Sequence, residues 1–331
     1  MGASFLITDH TIAPPARTLL EQRQARVTFA PATTKHDELV ALCARERFEA
    51  VISRTIRFSA EAIAASPQLR VISKHGVGVD NIDVDTATKR GIPVLNAMAA
   101  NAQSVAEHAI LLMLALKRKV VALDRSMREG RWERPGHIAG ELMGKHLGIV
   151  GLGNVGRAVN AIAQGFGMTV SAYDPYVPTA AVPAGVRLVK DLDAMLAEVD
   201  IVTLHCPLTM ETRGMIGTRQ FARLKPTALF INTARGPVMD EAALMAALKG
   251  NRIAGAGLDV FTDEPTPLDN PLRDMPNVIS TPHIAGSTRE AMDRVAIRAV
   301  ENAYAILDGT TYDPICLVNP AALKKGAGAS R

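Results

Sequence analysis

The sequence predicts an α/β protein of two parallel-sheet domains with a cleft between them, and three observations carry that expectation. The chain has 331 residues, more than one core usually holds, because single cores stop growing near roughly 250–300 residues. Short β-branched runs alternate with helical stretches twice, through about residue 100 and again from His146; such alternation favours parallel sheets covered by helices. A glycine-rich turn follows the first strand of the second series directly.

In the first series Phe5–Thr8, Val27–Ala30, Ala50–Ser53, Arg70–Ser73 and Pro93–Leu95 read as strands. Between them Asp37–Glu49 and Ser59–Ser66 carry apolar residues at helical spacing, with Asp37 and Ser59 placed as N-caps. Ser104–Arg118 reads as a long helix whose most apolar part, Ala109–Leu116, is bounded by Glu107-His108 and Lys117-Arg118-Lys119. That run is far short of the roughly 20 residues a bilayer requires, and suits a buried core or a subunit interface. Gly130 to Gly144 has the composition of a surface arm. In the second series Leu147–Val150, Thr169–Tyr173, Ile201–Leu204, Ala228–Asn232, Gly255–Asp259 and Val278–Ser280 are the strands. A last long helix spans Arg289–Asp308, and Ile315–Val318 is placed to return to the first domain, which would make that domain discontinuous. The tail Ala321–Arg331 offers too little apolar surface to order itself and is expected to be mobile.

Composition narrows the functional classes. An apolar fraction of 48% with 21% charged residues is that of a packed globular protein and excludes a disordered or fibrous chain. The net charge of +4 is small and its Lys/Arg residues are scattered, so neither nucleic acid nor membrane is an expected partner. Cys43, Cys206 and Cys316 form no C-x-x-C pair, so neither a disulfide framework nor a metal site is expected, and a reducing cytoplasm suits them. Met1–Leu6 shows no export or anchor signal, and Ser4–Thr8 reads as a first buried strand.

The strongest local signal is Gly151-Leu152-Gly153-Asn154-Val155-Gly156, between the strand Leu147–Val150 and the helical stretch Arg157–Phe166. Gly151 permits a tight turn, Gly153 lets backbone approach a pyrophosphate, and Gly156 lets helix pack close on strand; the helix N-terminus adds donors and positive dipole. Asp174 closes the next strand, about 18 residues past Gly156, where a carboxylate can accept hydrogen bonds from the adenosine ribose. It would repel a 2′-phosphate, so NAD is favoured over NADP.

Three further segments follow strands of the second series, at the edge where open α/β sheets bind ligands: Thr233-Ala234-Arg235-Gly236, Asp259 to Pro265, and Pro282-His283-Ile284-Ala285-Gly286. Each brings one group suited to acid, base or anion chemistry: Arg235, Glu264 and His283. A guanidinium holds a carboxylate through two parallel hydrogen bonds, and a histidine protonates a carbonyl oxygen as hydride reaches its carbon. A glutamate beside that histidine favours the imidazolium.

Taken with Lys74-His75-Gly76-Val77-Gly78-Val79-Asp80-Asn81, Ser104-Val105-Ala106-Glu107 and His205-Cys206-Pro207-Leu208, these residues resemble the D-2-hydroxyacid dehydrogenase family, near its phosphoglycerate dehydrogenase and hydroxypyruvate reductase branches. The resemblance covers most of the chain. It implies two flavodoxin- and Rossmann-like domains, with residues 1–100 plus 290–331 as a discontinuous substrate-binding domain and 101–289 as the NAD-binding domain of a homodimer. It further implies His283 as proton donor and acceptor, Glu264 as its partner and Arg235 as the substrate anchor. Backbone N–H groups around Val77 and Gly78 would grip the same carboxylate, and Asn101 and Ser104 would lie near the nicotinamide. His205, Cys206, Pro207, Thr212, Thr233, Ala234, Asp259 and Gly286 would complete the NAD site, with Cys206 as lining.

Two departures bear on substrate. Formate dehydrogenases of this superfamily carry Gln where Glu264 stands, which disfavours formate. The phosphoglycerate branch usually shows Arg where Lys74 stands, although Arg54 matches that branch's phosphate-facing arginine; a lysine attracts an anion without the bidentate fork. The expected activity is therefore hydride transfer between NAD and C2 of a small 2-hydroxy or 2-oxo acid, phosphoglycerate dehydrogenase-like or hydroxypyruvate/glyoxylate reductase-like. The alternative is an NAD(H)-sensing, corepressor-like binding protein on the same fold.

Overall fold

The structure, a computed structural model, describes residues 2–326. The chain divides into two compact units, Met1–Asn101 with Thr288–Arg331, and Ala102–Ser287.

The first unit opens with β1 (Ser4–Ile7), α1 (Pro14–Gln22), β2 (Arg26–Phe29), α2 (His36–Arg45), β3 (Ala50–Ser53), α3 (Ala60–Ala64), β4 (Val71–Lys74), α4 (Val84–Lys89) and β5 (Val94–Leu95). All strand pairs are parallel, in the order β2-β1-β3-β4-β5, the arrangement of a flavodoxin-like sheet. The inner strands β1, β3 and β4 are buried at every residue while the edge strand β2 is only half-buried. Ser59 caps α3, accepting from Ala62 N–H at 3.3 Å. Asp37 does not cap α2: the cap is Lys35, whose N–H donates to Glu38 at 3.2 Å, and Asp37 sits in the first turn, where its charge meets the positive end of the helix dipole. That helix ends at Arg45 and not at Glu49.

The second unit comprises α5 (Ala102–Arg118), α6 (Val120–Arg128), β6 (His146–Val150), α7 (Asn154–Gly165), β7 (Thr169–Tyr173), β8 (Val186–Val189), α8 (Leu192–Glu198), β9 (Ile201–Leu204), α9 (Thr218–Arg223), β10 (Leu229–Asn232), α10 (Glu241–Lys249), β11 (Gly255–Leu258) and β12 (Val278–Ser280). Its seven parallel strands run β12-β11-β10-β9-β6-β7-β8, the doubly wound Rossmann order, and the chain reverses direction across the sheet at the β6–β9 pair. Helix α5 is core: Ala106, Ala109, Ile110, Leu112 and Met113 join Leu147 and Ile149. It comes close because β11 is glycine-rich; a Cβ on Gly257 would meet Leu112 Cβ at 2.9 Å.

The chain then returns to the first unit as α11 (Arg289–Asp308), where Ala296, Ala299, Val300 and Ala303 pack with Phe5 and Ile7. Val318 N–H donates to Val94 O at 2.9 Å, and Val94 N–H to Asn319 Oδ1 at 2.7 Å. The expectation of a mobile tail from Ala321 is corrected: Ala321–Gly326 is a helix, α12, which packs against α4 and buries Ala322 fully. The remainder of that tail lies outside the described residues. Among the described residues no helix is long and apolar enough to cross a membrane.

Candidate active site

The glycine turn sits at the reversal point of the second unit's sheet, between β6 and α7. Gly151 has φ +93°, and a Cβ there would lie 2.7 Å from Cys206 N, so only glycine lets the turn pass the β9 loop. A Cβ on Gly156 would strike Gly151 O at 2.1 Å, whereas one on Gly153 would meet nothing within 4 Å. That open space beside the N-terminus of α7, which begins at Asn154 and Val155, fits the pyrophosphate of a dinucleotide. Asp174 is bound into the same corner: Leu152 N–H donates to its Oδ2 at 2.8 Å, and Tyr176 N–H to Oδ1 at 2.9 Å.

The loop after β9 lies alongside. Burial pushes the His205 imidazole down to about 3, so it is neutral, with Nε2 at 2.9 Å from Thr203 Oγ1. Burial likewise pushes the Cys206 thiol up to about 11, which leaves it protonated and unsuited to nucleophilic work. Thr212 Oγ1 donates to Pro207 O at 2.6 Å and closes this loop.

The three chemistry-bearing segments end β10, β11 and β12. Asn232, not foreseen from the sequence, shapes the first: its Nδ2 donates to Arg235 O at 3.0 Å and its Oδ1 accepts from Ala234 N–H at 3.0 Å. Thr233 and Ala234 are buried there and Arg235 is partly exposed. A Cβ on Gly236 would lie 2.0 Å from Phe261 C, so this turn packs directly on the next segment. Glu264 accepts from Phe261 N–H at 3.0 Å through Oε1, and its Oε2 lies 2.7 Å from His283 Nδ1. Partial burial works against the charged form of Glu264, but the His283 and Phe261 hydrogen bonds and the charge of Arg235 outweigh it and hold the carboxyl below its ordinary range. An ionised Glu264 requires the imidazole proton on Nδ1, leaving Nε2 for a second partner. His283 has φ +54°, and its N–H donates to Asp259 O at 2.8 Å. The buried Asp259 carboxylate accepts from Ile284 and Ala285 N–H at 2.9 and 2.8 Å, just before Gly286.

In the first unit Arg54 directly follows β3, and Lys74 ends the neighbouring strand β4. Arg54 pairs with Asp9. Lys74 is buried, and its ammonium donates to Arg54 O and, at 2.6 Å, to Asn81 Oδ1. Lys74 is thus a support for Arg54. His75 is pushed down to about 4 by burial and by the charges of Arg54 and Lys74. Beyond it, Gly76 O and Val77 O accept from Ala97 N–H and Asn96 Nδ2, both at 2.8 Å, which fixes the loop that leads to Gly78. Asn101 ends the first of this unit's two segments, and Ser104, in the other unit, is buried in the first turn of α5.

A doubly wound sheet with a glycine turn and a carboxylate at its reversal point defines a dinucleotide-binding unit. Residues 110–285 match the family model described as D-isomer specific 2-hydroxyacid dehydrogenase, NAD binding domain. A D-3-phosphoglycerate dehydrogenase of Archaeoglobus fulgidus is 46% identical over 265 residues, covering 80% of this chain and 50% of that protein. A glyoxylate reductase of Korarchaeum cryptofilum is 44% identical over 270 residues, 80% of each chain. A solved structure from Thermus thermophilus is 34% identical with a TM-score of 0.86, covering 95% of this chain and 99% of its own.

The chain belongs to the D-2-hydroxyacid dehydrogenase family, and its Ala102–Ser287 unit carries the family's NAD-binding domain. It spans 50% and 57% of the length of the first curated relatives it matches. These relatives do not favour the NAD-sensing, corepressor-like alternative.

Proposed function

We propose that this protein is an NAD-dependent dehydrogenase that moves a hydride between nicotinamide and C2 of a small 2-hydroxy or 2-oxo acid. The observation that carries the reading is the Glu264–His283 pair at 2.7 Å, on the same sheet edge as the glycine turn. The family model and the names of both relatives support it.

Gly151, Gly153, Asn154, Val155 and Gly156 would hold the cofactor pyrophosphate, and Asp174 the ribose. His205–Pro207, Thr212, Thr233, Ala234, Asp259 and Gly286 would line the remainder, with Asn101 and Ser104 toward the nicotinamide. NAD supplies the hydride acceptor in oxidation and, reduced, the donor. His283 Nε2 takes the hydroxyl proton in oxidation and returns it to the oxo oxygen in reduction. Glu264 holds the imidazole by Nδ1 and stabilises its charged form. Arg235 fixes the substrate carboxylate. In the first unit, recognition falls to the amides of Val77 and Gly78 and to Arg54, which Asp9 and Lys74 hold in place. A substrate with a second anion would need the part of the Arg54 guanidinium that Asp9 does not occupy. We further place the protein in the cytoplasm as a homodimer, joined through the exposed apolar side chains Leu111, Val120, Val121 and Trp132.

Replacing His283 with Asn tests the assignment. Turnover should fall by roughly 10²–10⁴, the usual worth of a positioned acid–base group, with NADH affinity retained; unchanged turnover would refute the role.

A further inference from the structure

We propose that His108, a residue of α5 outside the site described above, is a positioning residue for the reaction: through the Thr281 hydroxyl it orients the Asp259 carboxylate that holds the His283 loop. The proposal rests on the dehydrogenase reading. Its residues all belong to the Ala102–Ser287 unit.

Donor counting sets the direction of the chain. Thr281 Oγ1 donates to Asp259 Oδ1 at 2.6 Å and lies 2.9 Å from His108 Nε2. A hydroxyl has one proton, so Thr281 can only accept from His108, and Nε2 must carry a hydrogen. His108 Nε2 is 3.7 Å from Asp259 Oδ1, beyond a direct hydrogen bond, which makes Thr281 the link. Helical geometry explains the reach: Leu112, one turn along α5, packs over Gly257 of β11 and brings His108 above the ends of β11 and β12.

The recipient of this chain is fully buried. Three successive N–H groups, of His283, Ile284 and Ala285, end on Asp259, the first on its carbonyl and the others on its carboxylate. They impose φ +54° on His283, a conformation that costs a non-glycine residue energy and persists only where its surroundings over-determine it. Glu264 fixes the ring of His283, and Asp259 fixes its backbone. With His108 removed, the Thr281 hydroxyl rotates freely, the carboxylate loses its oriented donor, and the His283 loop relaxes. Misplacement of an acid–base group by a fraction of an ångström lowers kcat without removing cofactor contacts.

The test is a double-mutant cycle on the full chain with H108L, T281V, the double variant and H108Q, whose amide nitrogen supplies the lost donor. We expect kcat of NADH-dependent reduction to fall about tenfold in each single variant and no further in the double, because the residues act in series. H108Q should recover to within about threefold, and NADH Kd should rise by less than about threefold throughout, since Asp259 and Gly286 also line the proposed cofactor site. Losses that multiply, an H108Q as weak as H108L, or a Kd that rises as much as kcat falls would overturn the proposal. Nitrogen-15 NMR of labelled histidines in the wild-type chain decides it without turnover. A proton on His108 Nε2 whose signal moves in T281V supports it, and a bare Nε2 overturns it. A wild-type enzyme inactive on every 2-oxo acid would instead defeat the dehydrogenase reading, leaving the NMR result to judge the His108–Thr281 link.

Discussion

The 2.7 Å contact between Glu264 and His283 Nδ1 decides which imidazole nitrogen is left over, because the ionised carboxylate claims one proton and leaves Nε2 for the proton transfer we propose. Glu264→Gln removes the charge and one of the oxygens that hold the His283 ring, so kcat of reduction should fall while NADH Kd holds; wild-type kcat in the variant would contradict the pairing. Arg235, Glu264 and His283 were legible in the sequence because each follows a strand of the dinucleotide series. Asn232, Thr281 and His108 were not, since an Asn in a strand, a Thr before Pro and a His on an apolar helix have no local signature. Their roles exist only once separate segments meet. Lys74 was legible as a cation but not as a support for Arg54, since its bonds to Arg54 O and Asn81 depend on how two strands and a loop come together.

The glycine turn gives the clearest division of labour at the scale of the element. Gly153→Ala adds a methyl where nothing lies within 4 Å, so the variant should fold with its melting temperature intact and bind NADH more weakly. Gly156→Ala places a Cβ 2.1 Å from a backbone oxygen and should destabilise by about 1–3 kcal/mol, the usual cost of overpacking. Melting curves and NADH titration separate the two; equal melting temperatures would contradict the packing account. Strands with continuous apolar runs were readable, as were the long helices α5 and α11. The edge strand β8 was missed because its partly exposed residues show no alternation. Helices α1 and α4 were missed because they are short and polar, and α6 because the left-handed Lys119 separates it from α5. Ala321–Gly326 is helical against the expectation from composition, and Ala322 finds a buried place in that helix, which packs against α4.

Across the whole molecule each unit buries a neutral histidine, His75 in one and His205 in the other, with pKa values lowered from 6.5 to about 4 and about 3. The unfolded chain binds protons at both below about pH 6.5 while the folded chain does not, so stability falls as pH drops from 6.5 toward 4. The slope is at most about 1.4 kcal/mol per pH unit for each imidazole. Melting temperatures should decline over that window and decline less in His205→Asn; equal slopes for variant and wild type would contradict this assignment of His205. The two sheet orders, one flavodoxin-like and one Rossmann, follow from the two alternating series that the sequence displays, and the reversal at β6–β9 is what concentrates the glycine turn and the His205 loop. The central claim is that this arrangement performs hydride transfer on a small 2-oxo acid. It is tested most directly by following NADH absorbance with hydroxypyruvate, glyoxylate, pyruvate and 3-phosphohydroxypyruvate, with NADPH in parallel. The account predicts turnover of at least one acid with NADH preferred over NADPH; tight NADH binding with no turnover of any would contradict it.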